Sequence, residues 1–210
     1  MRAIRHARAA IYDTAIVGLT AGWYRAVLAR LPEGCRLLDI GIGTGSALLA
    51  NAETLREKRI RVTGLDIDAD YVARCNREVE RRGLGDVVTA RLESVYDHAG
   101  GPYDAAYFSA SFMLLPDPAA ALRHVRALLT PAGRIYFTQT FEHHPSWIVE
   151  RLKPLLHLLT TIDFGRVTYE EDFRRALADA GEDIERFEIL NAGPRRSGAL
   201  AVSVRAAPSA

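Results

Sequence analysis

Apolar positions along the chain follow two rhythms. Dense short runs rich in β-branched and aromatic residues fall at 36–40, 61–65, 87–92, 103–108 and 134–140, and each reads as a strand. Between them, the helix-length segments 46–58, 69–82 and 118–129 read as helices. Helices are also expected ahead of the first strand at 3–12 and 21–31, and after the fifth at 145–159 and 169–180. Trp23, Val27, Leu28 and Leu31 carry the helical spacing of the second of these, which stops at Pro32-Glu33-Gly34. Two last strands, 184–190 and 199–204, flank Asn191-Ala192-Gly193-Pro194 and form a closing antiparallel pair. Asp117 is placed to cap the helix that Pro118 opens, and Thr130-Pro131-Ala132-Gly133 to end it. Strands separated by helix-length segments imply right-handed crossovers and a parallel sheet covered on both faces. The predicted fold class is therefore α/β, doubly wound.

Composition narrows the picture. With 210 residues, 49% of them hydrophobic, the chain can bury one sizeable core, and one domain is expected. A net charge of +1 supplies no field for a polyanion, so nucleic acid is not an expected partner. Cys35 and Cys75 have neither Cys-x-x-Cys spacing nor histidines beside them, so no metal site is expected, and free thiols in a reducing compartment are. No apolar run reaches the roughly 18 residues of a membrane span, so no transmembrane segment is expected and a cytoplasmic protein is.

The most informative stretch is Leu37-Leu38-Asp39-Ile40-Gly41-Ile42-Gly43-Thr44-Gly45-Ser46. An apolar strand ends beside an acid, three alternating glycines follow, and a helix begins. Glycine serves where the backbone takes positive φ or another group must approach it closely, so this turn reads as a ligand cradle. Gly41-x-Gly43-x-Gly45 with Asp39 two residues ahead resembles motif I of class I S-adenosylmethionine-dependent methyltransferases. That resemblance spans about residues 36–140 and implies a seven-stranded sheet in the order 3-2-1-4-5-7-6 with one antiparallel strand. It further implies a single domain over 1–210: an N-terminal helical cover (1–32), a cofactor-binding core (33–140), and substrate-side helices with the terminal hairpin (141–206). Tyr12, Trp23 and Tyr24 are the cover's candidate pocket residues, against the commoner role of such aromatics on an amphipathic helix as simple core.

Ligands of open α/β sheets bind beyond the carboxyl ends of the strands, so the residues there carry the expected roles. By the resemblance, Gly41, Gly43 and Gly45 cradle S-adenosyl-L-methionine, and its product S-adenosyl-L-homocysteine, while Asp66 accepts both ribose hydroxyls. Ile67 then lies against the adenine, and Glu93 with Ser94 takes the adenine amino group. Asp39 braces the loop or reaches the methionine amino group, near Ser109. Asp68 competes with Asp66 for the helix cap. The strand-four residues Ser109-Ala110-Ser111-Phe112 lack the Asn/Asp-Pro-Pro-Tyr motif of nucleobase methylation, which points to a small molecule methylated at N, O or C, and the run Leu155-Leu156-His157-Leu158-Leu159 reads either as plain helix packing or as a wall for an apolar or lipid-like one. In-line alignment supplies much of such a transfer, and a base is needed only for a protonated nucleophile. His143, His144 and Tyr12 are the candidates for it. A monomer or homodimer fits these features. The alternatives are an NAD(P)-dependent oxidoreductase, since Gly41-x-Gly43-x-x-Ser46 also approximates a dinucleotide turn, and an inactive methyltransferase-like binding protein.

Overall fold

The computed structural model describes residues 18–142 and 168–207. The helices expected at 3–12 and 145–159, and the candidates Tyr12, His143 and His144, lie outside the described residues. Residues 18–30 form helix α1. There follow β1 (Arg36–Ile40), α2 (Ser46–Leu49), α3 (Ala52–Glu57), β2 (Arg61–Asp66), α4 (Ala69–Arg81), β3 (Val88–Leu92) and β4 (Tyr103–Ser109). After a 3-10 turn at Phe112–Leu114 come α5 (Pro118–Ala127), β5 (Leu129–Glu142), α6 (Glu170–Asp179), β6 (Glu182–Ala192) and β7 (Arg196–Arg205).

The strands form one seven-stranded sheet in the expected order, β3-β2-β1-β4-β5-β7-β6. Strands β1 to β5 are parallel, and β7 runs antiparallel to both of its neighbours. Strand alternation sends neighbouring residues to opposite faces. Leu37, Tyr107 and Tyr136 pack with Tyr24, Leu28, Leu48 and Val72 on one side. Leu38, Phe108 and Phe137 pack with Leu122 and Phe173 on the other. On that second side Phe112, Phe137, Phe141 and Phe173 meet edge to face at 5.0 to 5.8 Å, a geometry that suits aromatic quadrupoles.

Three expectations are corrected. The segment 46–58 is not one helix but α2 and α3. Asn51 separates them, donating through Nδ2 to the carbonyls of Ala47 and Ala21, and a side chain that bonds nearby backbone in this way competes with helix continuation. Thr130-Pro131-Ala132-Gly133 is not a free turn but the irregular start of β5, its Gly133 carbonyl held by Arg126 Nη1 at 2.6 Å. Trp23 and Tyr24 are core residues, 4% and 3% exposed, rather than an outer cover. The Asp117 cap is present, its Oδ1 accepting from Ala120 N at 2.9 Å.

Away from the strand carboxyl ends, Arg126 of α5 forms a fork with Glu182 of β6, and Ser203 Oγ donates to the same carboxylate at 2.7 Å. All three are buried. This pair ties α5 to the terminal strands with both carboxylate oxygens occupied.

Candidate functional site

The glycine turn is built by the end of β1 meeting the end of β2. Gly41 N and Ile42 N both donate to Leu65 O, at 2.8 and 3.1 Å, and Gly43 N donates to Asp66 Oδ2 at 2.8 Å. Gly41, Gly43 and Gly45 all have positive φ, at 80°, 59° and 70°. They differ in what a side chain would meet. A Cβ on Gly41 would lie 2.6 Å from Ser111 Cβ, and one on Gly45 would lie 2.5 Å from Cys75 Sγ. Around Gly43 nothing stands within 4 Å, so its exposed backbone faces open space among the described residues. Packing explains two of the glycines; the third leaves room for a ligand.

Asp66, the last residue of β2, uses both oxygens on backbone amides: Oδ2 on Gly43, and Oδ1 on Asp68 N at 3.0 Å. Each carboxylate oxygen has a second lone pair, so acceptor capacity for a diol remains. Asp68 is the cap of α4, accepting from Asp70 N and Tyr71 N, as expected. Ile67 between them is 79% exposed, an apolar side chain with nothing over it.

Asp39 is fully buried at the centre of the sheet, paired across β1 with Gly64 and Tyr107. Its Oδ2 accepts from the Tyr24 hydroxyl of α1 at 2.8 Å, and its Oδ1 has no hydrogen-bond partner among the described residues. Burial pushes this carboxyl up to about 7 from the usual 3.8; the hydrogen bond from Tyr24 opposes the rise and the negative charge of Asp66 adds to it. The Tyr24 ring meets Tyr107 edge to face at 4.9 Å, and the Tyr107 hydroxyl pairs with Thr138 Oγ1 at 2.7 Å. Ser109 lies beside that hydroxyl. Cys75 under the loop is held protonated by burial, which raises its thiol to about 11, so it is packing rather than a nucleophile.

At the end of β3, Glu93 N donates to Asp66 O at 3.0 Å, which sets Glu93 beside the Asp66–Ile67 corner. Its Oε2 lies 3.0 Å from Nδ1 of buried His98, in close contact without hydrogen-bond alignment. Ser94 Oγ is used inside its own loop, accepting from Tyr96 N at 3.3 Å. Ser111 Oγ donates to Ile40 O and locks the loop after β4 against the glycine turn. Sequence reasoning gave no site role to Ser111 or Cys75 and did not single out His98. The first two carry a legible signal only in hindsight, as small residues opposite glycines.

Two clefts, of about 400 and 630 Å³, open at the opposite, amino ends of the strands. Their linings include Cys35, Asp104 and Arg134 in one and Arg56, Arg59 and Asp86 in the other. Ligands of parallel sheets bind at the carboxyl ends, where the open-faced glycine, the unpartnered carboxylate oxygen and the bare isoleucine gather.

Known proteins fit this geometry. Residues 38–135, from β1 into β5, match a family model described as a methyltransferase domain. Over this segment the chain is similar to class I methyltransferases. A ubiquinone biosynthesis O-methyltransferase of Sodalis glossinidius is 27% identical over 119 residues, 55% of this chain and 45% of that protein. A phosphatidylethanolamine N-methyltransferase of Cereibacter sphaeroides is 24% identical over 203 residues, 94% of this chain and 93% of that one. An S-adenosyl-L-methionine-dependent Diels-Alderase of Neonectria sp. is 29% identical over 160 residues, 72% of this chain and 59% of that one. The chain spans about half the length of the O-methyltransferase relatives it matches. Among solved structures, a geranyl diphosphate C-methyltransferase from Streptomyces coelicolor shares the fold with TM-score 0.69 at 16% identity, covering 90% of this chain and 79% of that one.

In this methyltransferase fold, the residues expected from sequence at the cofactor site converge where described. Asp39, Gly41, Gly43, Gly45, Asp66, Ile67, Glu93 and Ser109 all lie at or just beyond the strand ends of β1 to β4. Ser94 is there too, but engaged within its own turn.

Proposed function

We propose that this methyltransferase domain binds S-adenosyl-L-methionine at the carboxyl ends of β1 to β4 and transfers its methyl group to a small molecule. The carrying observation is the buried Asp39 carboxyl, one oxygen unpartnered among the described residues, behind the open face of Gly43. Asp66, joined by Asp39 once a cation draws off its proton, makes the loop negative, which suits a cationic ligand and disfavours the pyrophosphate of a dinucleotide. The helix after the loop, α2, has only four residues and offers little dipole to offset that charge. This weighs against the oxidoreductase alternative, and the intact cradle weighs against an inactive binding protein.

Asp66 holds the ribose hydroxyls, Ile67 covers one face of the adenine, Glu93 accepts from its amino group, and Asp39 faces the ammonium end. The bound cofactor supplies an electrophilic methyl on a sulfonium. The chain's own part is to align, and the hydroxyls of Ser109 and Ser111 stand on the side where substrate arrives. Residues 1–210 act as one domain, in the cytoplasm, where buried free Cys35 and Cys75 are compatible with reducing conditions. It works as a monomer or homodimer and without nucleic acid. Among the described residues no helix is long and apolar enough to cross a membrane.

For the substrate, the near end-to-end alignment with a phosphatidylethanolamine N-methyltransferase supports an amine carried on a lipid. Incubation with methyl-labelled S-adenosylmethionine and vesicles containing phosphatidylethanolamine tests it. Label in the lipid is expected. Label in no acceptor from a panel of lipid amines, quinols and isoprenoid diphosphates, with the donor recovered intact, would favour the second reading: a cofactor-dependent reaction without methyl transfer, which the Diels-Alderase relative raises.

A further inference from the structure

One titratable cluster remains outside the roles assigned above. His98, in the segment between β3 and β4, is 1% exposed and has both ring nitrogens against polar atoms. Nε2 is 2.8 Å from the Tyr103 hydroxyl, and Nδ1 is 3.0 Å from Glu93 Oε2. Its backbone is fixed as well, the His98 carbonyl accepting from His124 Nε2 of α5 at 2.7 Å. Gly100 closes over the pair: a Cβ there would sit 2.6 Å from His98 Nε2 and 2.7 Å from the Tyr103 hydroxyl. The imidazole is thus held at a set position against one oxygen of Glu93 and does not touch the open site itself.

Glu93 Oε1 makes no hydrogen bond to a described residue, and its side chain keeps 28% exposure. Beside it are the two bare apolar side chains of this corner, Ile67 at 79% and Leu92 at 58% exposure. Asp66 pairs with Leu92 across β2 and β3, so Ile67 and Glu93 are the next residues on each strand. A flat ring resting on these side chains would present its edge to the free carboxylate oxygen.

We propose that His98 is a positioning residue for base selection, holding Glu93 so that its free oxygen accepts from the 6-amino group of the purine; this rests on the reading of Glu93 as the adenine acceptor. With the Tyr103 hydroxyl as donor to Nε2, the ring proton lies on Nδ1, in close polar contact with Glu93 Oε2 at 3.0 Å rather than in an aligned hydrogen bond. The carboxylate is then fixed as an acceptor. A 6-amino purine gives it a donor, whereas a 6-oxo purine brings a second acceptor against it. A site built to accept an N–H discriminates strongly against an analogue without one, because the buried polar group is left unpaired.

The experiment compares binding of S-adenosylhomocysteine with its 6-oxo analogue, S-inosylhomocysteine, by isothermal titration. Wild type is expected to prefer the amino form by roughly tenfold or more. His98→Phe should bring that ratio close to one while changing affinity for the oxo form little, and His98→Asn, whose amide can replace Nδ1–H, should restore it. Tyr103→Phe, which keeps the buried ring, should lower the ratio by a smaller factor and serves if His98→Phe does not fold. A preserved ratio in folded His98→Phe or Tyr103→Phe, or equal weakening of both ligands, reduces His98 to a loop clamp and overturns the proposal. No preference in wild type, or a preference untouched by Glu93→Gln, instead overturns the adenine role of Glu93.

Discussion

Two buried carboxylates in this molecule live under opposite conditions. Glu182 is met by the guanidinium of Arg126 and the hydroxyl of Ser203, and the pair joins α5 to the terminal strands. Asp39 is equally deep but has only the Tyr24 hydroxyl, and one oxygen faces no donor among the described residues. A buried charge without partners is costly, and a fold keeps one where something outside the chain completes it. Glu182 serves the fold, and Asp39 serves a ligand.

The largest effect expected from breaking this contrast is on the satisfied side. Glu182→Ala strands the Arg126 guanidinium in the interior and should cost roughly 3 to 5 kcal/mol of stability in chemical denaturation. Affinity for S-adenosylhomocysteine should stay unchanged wherever the variant is folded.

Asp39→Asn should do the reverse. The folded carboxyl holds its proton up to about 7, while the unfolded one releases it near 3.8. Its contribution to stability is therefore complete below 3.8 and is lost as pH rises toward 7, beyond which the charge is buried at a cost of at most about 4 kcal/mol. Asparagine keeps an acceptor for Tyr24 and avoids that cost. The ligand-free variant should match wild type near pH 4 and melt several degrees higher at pH 8, while binding the cofactor less well. Equal melting at both pH values would remove the strained carboxylate from this account.

A smaller effect belongs to Asp66→Ala. Loss of hydrogen bonds to an ionised acceptor, worth roughly 1.5 to 3 kcal/mol, should weaken S-adenosylhomocysteine about ten- to hundredfold by titration. Affinity unchanged in the folded variant would confine Asp66 to bracing Gly43 and Asp68, both of which it already does.

The same contrast explains what the sequence could reveal. The strands and helices, the acid before the glycines, and Asp66 against Asp68 rest on local spacing and the strand–helix rhythm, which are written in short windows, and the sheet order follows from the family resemblance those windows carry. The partners of those residues come from distant parts of the chain. Tyr24 reads as one more aromatic on an amphipathic helix, and nothing local shows its hydroxyl reaching Asp39. His98 reads as a loop residue, yet Tyr103 and Gly100 enclose it. The split of 46–58 into α2 and α3 depends on Asn51 finding the Ala21 carbonyl, 30 positions away. Long-range polar pairing is what the pattern of apolar residues leaves unspecified.

Gly43 offers the most direct test of the central claim that the glycine turn is a cofactor cradle. A valine there meets no protein atom within 4 Å of its Cβ, yet would occupy the open space and resist a φ of 59°. Titration of S-adenosylhomocysteine into wild type and Gly43→Val, with circular dichroism confirming the fold of both, should show binding in the first and none in the second. Equal binding in the two folded proteins would contradict the account.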